Sequence, residues 1–420
     1  MIRQNPLTLV TPVLETHHPQ LQRVLKKIRR ELDEGMNLAF EQPGTMHYCR
    51  WVLLDEADTD TNPGTDIKAE LVFVSNFDGS VEEHINDLAN VAGSFIDMIY
   101  EHCKEYPSQE LRTPETRANY LKKWHIKASA FYIGAPGRNL HQIKKENQLR
   151  NFIRDFLNTK NWKEYTASEV HKAIQHAVYA KPEFDWVKEK AQTPNINWPG
   201  MALLGLVLLV MLPIVIVWIL YIHFALEKKD KNFTLTPSQL KEAHLTQLEE
   251  YEDLENQNQF TQIVVMKPGK VRLITFKALM LFARTLISFQ FVKGKLMGIP
   301  TIHFARWVLF DNDKRVLFFS NFDGSWQQYL GDFVDKSGWG LTGIFSNTTN
   351  FPKTNFLFTG GAYDEVHFLA WSRFTQIKTE VWYSAYPHLS IKNVNNNTLI
   401  RQSLIKNLNE HQSQLFLKRF

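Results

Sequence analysis

Asp78 and Asp323 hold the same place in two copies of one hexapeptide, Ser-Asn-Phe-Asp-Gly-Ser, at residues 75–80 and 320–325. An aspartate projecting into a cleft can take up and release a proton, so the two are candidate acid–base groups. A second matched pattern joins His47, Arg50 and Trp51 with His303, Arg306 and Trp307 at the same spacing. A guanidinium fits a carboxylate or another anion, which makes Arg50 and Arg306 candidate catalytic partners of the aspartates. His47, His303, Asn76 and Asn321 are candidate cofactor contacts. Arg138, in Ala-Pro-Gly-Arg between an expected strand and helix, could meet an anion at the helix N-terminus. His388 stands near the corresponding place in the second copy.

The same residues also have structural uses. Ser80-x-x-Glu83 and Ser325-x-x-Gln328 are capping-box patterns, and Gly79 suits a turn. Arg50 and Arg306 need partners if buried, and Asp78 and Asp323, one strand away, are the expected ones. Alternation along a strand predicts that His47 and Arg50 face opposite sides, as do His303 and Arg306.

Other chemistries are poorly served. The chain has no His-Glu-x-x-His, Gly-x-Ser-x-Gly, phosphate-binding P-loop or Gly-x-Gly-x-x-Gly motif. Its two cysteines, Cys49 and Cys103, form no Cys-x-x-Cys pair, so no metal site is expected. The net charge of +4 over 420 residues, with no basic stripe interleaved with aromatics, speaks against nucleic acid as a partner.

The elements that must position these residues recur as well. Residues 6–13 read as a strand, Gln20 to Leu32 as an amphipathic helix, and His47 to Leu54 and Glu70 to Ser75 as strands. Glu82 to Lys104 reads as a helix, Ser129 to Gly134 as a fourth strand and Gln142 to Leu157 as a helix. The second half repeats the order: strand 260–266, helix 276–292, strands 301–310 and 315–320, helix 326–345, strand 380–386 and helix 398–407. The expected class is α+β, with tandem duplicated ferredoxin-like (βαββαβ) modules at 6–158 and 259–410. The first module carries 11 extra residues within Glu56 to Lys68, read as a surface loop. A ferredoxin-like sheet has one bare face, so the modules are expected to pair within the chain or through a homodimer.

Between them lie a helical linker (159–200), an apolar segment (201–226) and a polar linker (227–258). Met201 to Leu226 contains 26 residues without Asp, Glu, Lys or Arg, enough to cross a bilayer. A lipid bilayer is therefore an expected partner, with the segment single-pass or monotopic. Pro213 leaves two forms open, a kinked span or a hairpin dipping into one leaflet. A span would separate the modules, whereas a hairpin would let them pair. The N-terminus shows no apolar region of a cleavable signal peptide. The apolar 276–292 helix adds an apolar small molecule as a candidate ligand.

The order of elements resembles the dimeric α+β barrel superfamily, which includes dye-decolourising peroxidases, chlorite-dismutase-like haem proteins and many non-haem members. The peroxidase branch has a Gly-x-x-Asp-Gly motif whose aspartate, with a nearby arginine, serves peroxide cleavage. Asp78-Gly79 and Asp323-Gly324 match its end, while Ser75 and Ser320 replace its leading glycine. The resemblance implies haem as a candidate cofactor, with His367 and His388 as candidate proximal ligands. The alternatives are a binding or scaffold protein at the membrane and a cofactor-free lipid-handling protein.

Overall fold

The computed structural model describes residues 3–36, 38–54, 69–189 and 194–420. The expected loop insertion within 56–68 lies outside them. The N-terminal half runs β1 (Gln4–Pro12), α1 (His18–Asp33), β2 (Met46–Leu54), β3 (Glu70–Asp78), α2 (Val81–Val91), α3 (Gly93–Tyr100), α4 (Pro114–Lys123), β4 (Ala130–Ile133), α5 (Leu140–Leu157) and α6 (Ala167–Tyr179). α7 (Trp198–Tyr221) and α8 (Glu242–Glu249) lead to β5 (Gln257–Val265), α9 (Lys270–Phe289), β6 (Ile302–Phe310), β7 (Arg315–Asp323) and α10 (Trp326–Phe345). The chain ends with β8 (Thr354–Asn355), β9 (Thr359–Gly360), α11 (Glu365–Thr375), β10 (Val381–Ser384), α12 (Ile391–Leu404) and α13 (Glu410–Leu417).

The class is α+β, as expected. Local differences have local causes. The single helix expected from Glu82 breaks at Ala92, which leaves helical geometry (φ −101°, ψ 20°). α12 starts at Ile391 rather than 398, because the Ser390 side chain caps the Asn393 amide. α4 was not expected, although Thr113 caps it and Pro114 opens it.

Two four-stranded antiparallel sheets form, ordered β1-β3-β2-β10 and β5-β7-β6-β4. This corrects the expectation of a complete sheet within each half. β4 pairs with β6 of the C-terminal half, and β10 pairs with β2 of the N-terminal half. The segments before them stay at home. Val10 donates to the Trp124 carbonyl and Ile126 to that of Thr8, while Ile377 donates to Thr261. Each crossing segment thus covers an edge of both sheets, and the sandwich is closed along both seams. Closure removes the exposed strand edges that invite aggregation.

Period-two alternation decides the layers. Cys49, Trp51 and Leu53 of β2 face the helices of their own half. Val52 and Leu54 join Val72, Val74, Val308, Phe310, Leu317 and Phe319 in a core between the sheets. One slip interrupts the pattern in each half. Met46 pairs with Phe77 and Tyr48 with Asn76, leaving His47 in a bulge; Ile302 and Phe304 leave His303 likewise.

α7 is one continuous helix through Pro213, so of the two forms left open the chain does not turn back at the proline. It is long and apolar enough to cross a membrane, and none of its apolar span is buried. Both of its ends rest on the C-terminal half. The Asn197 amide donates to the Phe289 carbonyl at 2.9 Å, and Trp218 Nε1 to Thr275 Oγ1 at 2.9 Å. Beyond α7, buried Glu227 accepts from Thr354 Oγ1 (2.7 Å) and the Leu357 amide (2.9 Å). α7 therefore lies alongside α9, running in the opposite direction.

Candidate functional site

The bulges turn His47 and His303 towards the space between the sheets, on the same side as Tyr48 and Phe304. The expectation that histidine and arginine face opposite sides is corrected here: one extra residue shifts the register. His47 lies 5.4 Å from the Phe304 ring, and Tyr48 lies 5.5 Å from the His303 ring. His47 Nε2 meets Asp78 Oδ1 at 3.1 Å, and His303 Nε2 meets Asp323 Oδ1 at 2.7 Å. The second carboxylate oxygens accept from the Leu140 and Ile391 amides, both at 2.7 Å. Each aspartate thus caps the first residue of a helix far along the chain, where a negative charge is favoured.

The two centres differ at one position. Tyr386, at the end of β10, places its hydroxyl 3.1 Å from His47 Nδ1. Ala135 follows β4 at the corresponding point and has no hydroxyl. His303 Nδ1, buried, accordingly has no hydrogen-bond partner among the described residues. Burial holds the Tyr386 phenol well above its ordinary pKa, so it stays neutral.

The arginines do not pair with these aspartates, which corrects the expected salt bridges. Both cross the interface to the opposite half. Arg50 donates to the Phe260 carbonyl (2.8 Å), Thr261 Oγ1 (2.9 Å), the Ser320 carbonyl (2.8 Å) and the amide oxygens of Gln259 and Asn321. Arg306 donates to the Leu7 carbonyl (2.7 Å), Thr8 Oγ1 (3.2 Å), the Ser75 carbonyl (2.7 Å) and Asn76 Oδ1. Each is 1 % exposed. Burial lowers the Arg50 pKa to about 9 and pulls that of Arg306 well down, with repulsion from Arg50 adding to the latter. Asn76 and Asn321 are therefore arginine acceptors across the sheets.

The recurring hexapeptide is accounted for position by position. Ser75 and Ser320 offer carbonyls to the opposite arginine, and Asn76 and Asn321 offer amide oxygens. Phe77 stacks on His84 at 3.7 Å, and Phe322 on Tyr329 at 3.8 Å. The aspartates cap distant helices, Gly79 and Gly324 take φ +102° and +84°, and the last serines cap α2 and α10. The candidate catalytic residues Asp78, Asp323, Arg50 and Arg306 all make contacts that join helices and sheets.

Two expected outcomes test this network. Asp78→Asn and Asp323→Asn each turn an amide NH₂ towards a backbone or imidazole donor, so each should cost about 1–3 kcal/mol. Urea unfolding of each variant checks it, and unchanged midpoints would refute the capping role. His84 is the second test. It is buried, its Nε2 lies 2.9 Å from Ser75 Oγ, and burial lowers its pKa from 6.5 to about 3. The unfolded chain binds this proton first, so the contribution is complete above about pH 6.5. It declines by about 1.4 kcal/mol per pH unit as pH falls towards the folded value. His84→Tyr, copying Tyr329, should flatten that part of the acid dependence in unfolding curves taken from pH 7 to about pH 5.

Haem chemistry fits this region badly. A peroxidase arginine must face an open space, whereas both guanidiniums are buried and engaged. His367 pairs with Asp364 at 2.8 Å, and the His388 side chain is 84 % exposed opposite Glu255.

Two other cavities carry more open chemistry. A narrow apolar slot, with about 70 Å³ of free space, lies between α9 and α10. Leu279, Leu286, Phe291, Met297, Trp307 and Phe333 are among the side chains that line it. A basic pocket of about 970 Å³ lies where α7 begins and α9 ends. It contains Arg138, Lys293, Lys295, Lys392, Lys418 and Arg419 and no acidic side chain. Arg138 is 7 % exposed, lines this pocket just before its own helix and reaches across to α12. Its Nε donates to Thr398 Oγ1 at 3.0 Å and its Nη2 to Asn395 Oδ1 at 2.6 Å. Sequence reasoning missed the five other cations. Lys293-Gly294-Lys295 was the only local signal, since the rest arrive from α12 and the C-terminal end.

Compared with protein-family models, curated proteins and solved structures, the chain matches none.

Proposed function

We propose that this chain is a membrane-anchored, non-catalytic binding protein that holds an apolar molecule in the slot between α9 and α10. The observation that carries this reading is the continuity of the slot's α9 wall with α7, whose apolar surface is uncovered between its two anchored ends. Exposed Leu281 and Ile274 extend that surface onto α9. Exposed apolar area of this extent marks a membrane or ligand site. The peroxidase reading is the less favoured, because its arginines are engaged by the opposite half and its aspartates by a histidine and a helix amide of their own half.

The architecture also supports a tandem duplication of ferredoxin-like modules that pair inside one chain, in the manner of the dimeric α+β barrel superfamily. Corresponding strands keep corresponding registers: Gln4 faces Asp78, and Gln257 faces Asp323. Strands from both halves close the two seams, so the halves occupy one side of a membrane. α7, apolar on every side, would then be sunk into one leaflet as a monotopic anchor rather than separate the halves.

Gly340 provides the test of the slot. A Cβ there would sit 3.6 Å from Met297 Sδ, an ordinary contact, so Gly340→Leu starts from an unstrained Cβ and directs its branch at the flexible Met297 side chain that lines the slot. Binding of a short alkane, small enough for this space, to detergent-purified protein should weaken about tenfold, since about 50 Å² of lost apolar contact is worth about 1.4 kcal/mol. Equal binding by both proteins would remove the slot from consideration.

A further inference from the structure

We infer that the basic pocket around Arg138 binds the phosphate of an anionic glycerophospholipid, with only the end of an acyl chain reaching the neighbouring apolar slot. The inference rests on the slot reading for its chain and on the pocket alone for its headgroup. Arg138 is the central observation. It is buried, and among the described residues no carboxylate lies within ion-pair distance; Glu146 attracts it from farther away and shares the Thr398 hydroxyl with it. Its Nη1 has no hydrogen-bond partner. A buried guanidinium with a free donor is costly unless an anion completes it. Five further cations ring the pocket without an acidic side chain among its lining.

The position selects a lipid over a free solute. Pro194 and Asn195, which line the pocket, immediately precede α7 and its N-cap Asn197. The segment after α9 serves both cavities: Phe291, Leu296 and Met297 face the slot, while Val292 to Lys295 face the pocket. Gly294 makes that close approach feasible. Its φ is +76°, and a Cβ would lie 2.9 Å from the Gly134 carbonyl oxygen and 2.5 Å from Asn395 Nδ2. Any larger residue would push Lys293 and Lys295 away from the arginine's loop. A charged head beside a narrow apolar slot, at the foot of a membrane-exposed helix, matches the shape of a phospholipid.

The full chain in mild detergent is titrated with phosphatidic acid, with phosphatidylcholine of the same chains, and with soluble glycerol 3-phosphate. Native mass spectrometry reads the lipids, and phosphorus NMR reads the soluble head. Phosphatidic acid is expected to bind about tenfold or more tightly than phosphatidylcholine, the size of a lost charge-assisted contact. Arg138→Gln should abolish that preference and leave phosphatidylcholine binding in place. Lys293→Gln with Lys295→Gln, on an exposed segment, should reduce it even if the arginine variant folds poorly. Gly340→Leu should weaken both lipids and spare glycerol 3-phosphate. If Gly340→Leu affects neither lipid while Arg138→Gln still removes the preference, the slot reading fails and the headgroup site stands. Equal affinity for the two lipids, a preference that survives the charge variants, or tighter competition by single-stranded RNA would overturn the site.

Discussion

Arg50→Ala is expected to lower the unfolding free energy by about 4 kcal/mol or more, with a matching fall in Tm. The reason is the number of groups one guanidinium satisfies. Truncation empties a fully buried volume and strips donors from two backbone carbonyls and three side-chain oxygens of the opposite half. Each buried acceptor left alone costs about 1–3 kcal/mol, although relaxation and water will recover part of the sum. Repulsion between Arg50 and Arg306 works the other way and trims the loss, because removing one charge relieves its neighbour. Arg50→Lys retains the charge but lacks the planar fork, so it should rescue only a minor part. Arg306→Ala should behave alike through Leu7 and Ser75. Calorimetry and urea titration of these variants decide the matter. Stable variants lacking either arginine would show that the crossing contacts do not hold the halves together, and would reopen a catalytic role.

The second large effect concerns α7. Leu209, Val210 and Val217 are 67 %, 68 % and 66 % exposed, so aspartate at all three adds charge without disturbing a packed core. A charge at the centre of an inserted helix costs about 2.5–3.5 kcal/mol, and a smaller share near the interface. Three together should move the protein from the membrane pellet to the soluble fraction after mild salt washing, with the folded halves retained. Tags at the two termini extend the test. In sealed vesicles both should be digested from the same side, because residues 124–133 and 376–384 stitch strands of one half to the sheet of the other. Tags protected on opposite faces would contradict closure of the two seams.

Local pattern made much of this architecture readable. Leu21, Leu25 and Ile28 form the buried stripe expected of α1, and the nine-residue strands alternate as their sequences suggest. The serine caps of α2 and α10 were visible as short motifs, since a cap involves residues three apart. The partners of Arg50 were not. Asp78 is its near neighbour in the chain and chemically suitable, yet Arg50 reaches Asn321, 271 positions away. β4 and β10 show why: a four-residue strand fits either sheet edge equally well by propensity, and only packing of the two faces selects the opposite one.

From sequence alone come the α+β class, the long uncharged helix and the recurring letters at His47/His303 and Asp78/Asp323, because each follows from short-range periodicity or from residues repeated in order. Tertiary structure alone decided which groups meet. It exchanged the fourth strands, turned the histidines inward through one-residue bulges, sent both arginines across the interface and gathered Arg138 with lysines from α12 and the C-terminal end. Those contacts join residues far apart in the chain, and their geometry is set by how two sheets close on one another, which local sequence preferences do not encode.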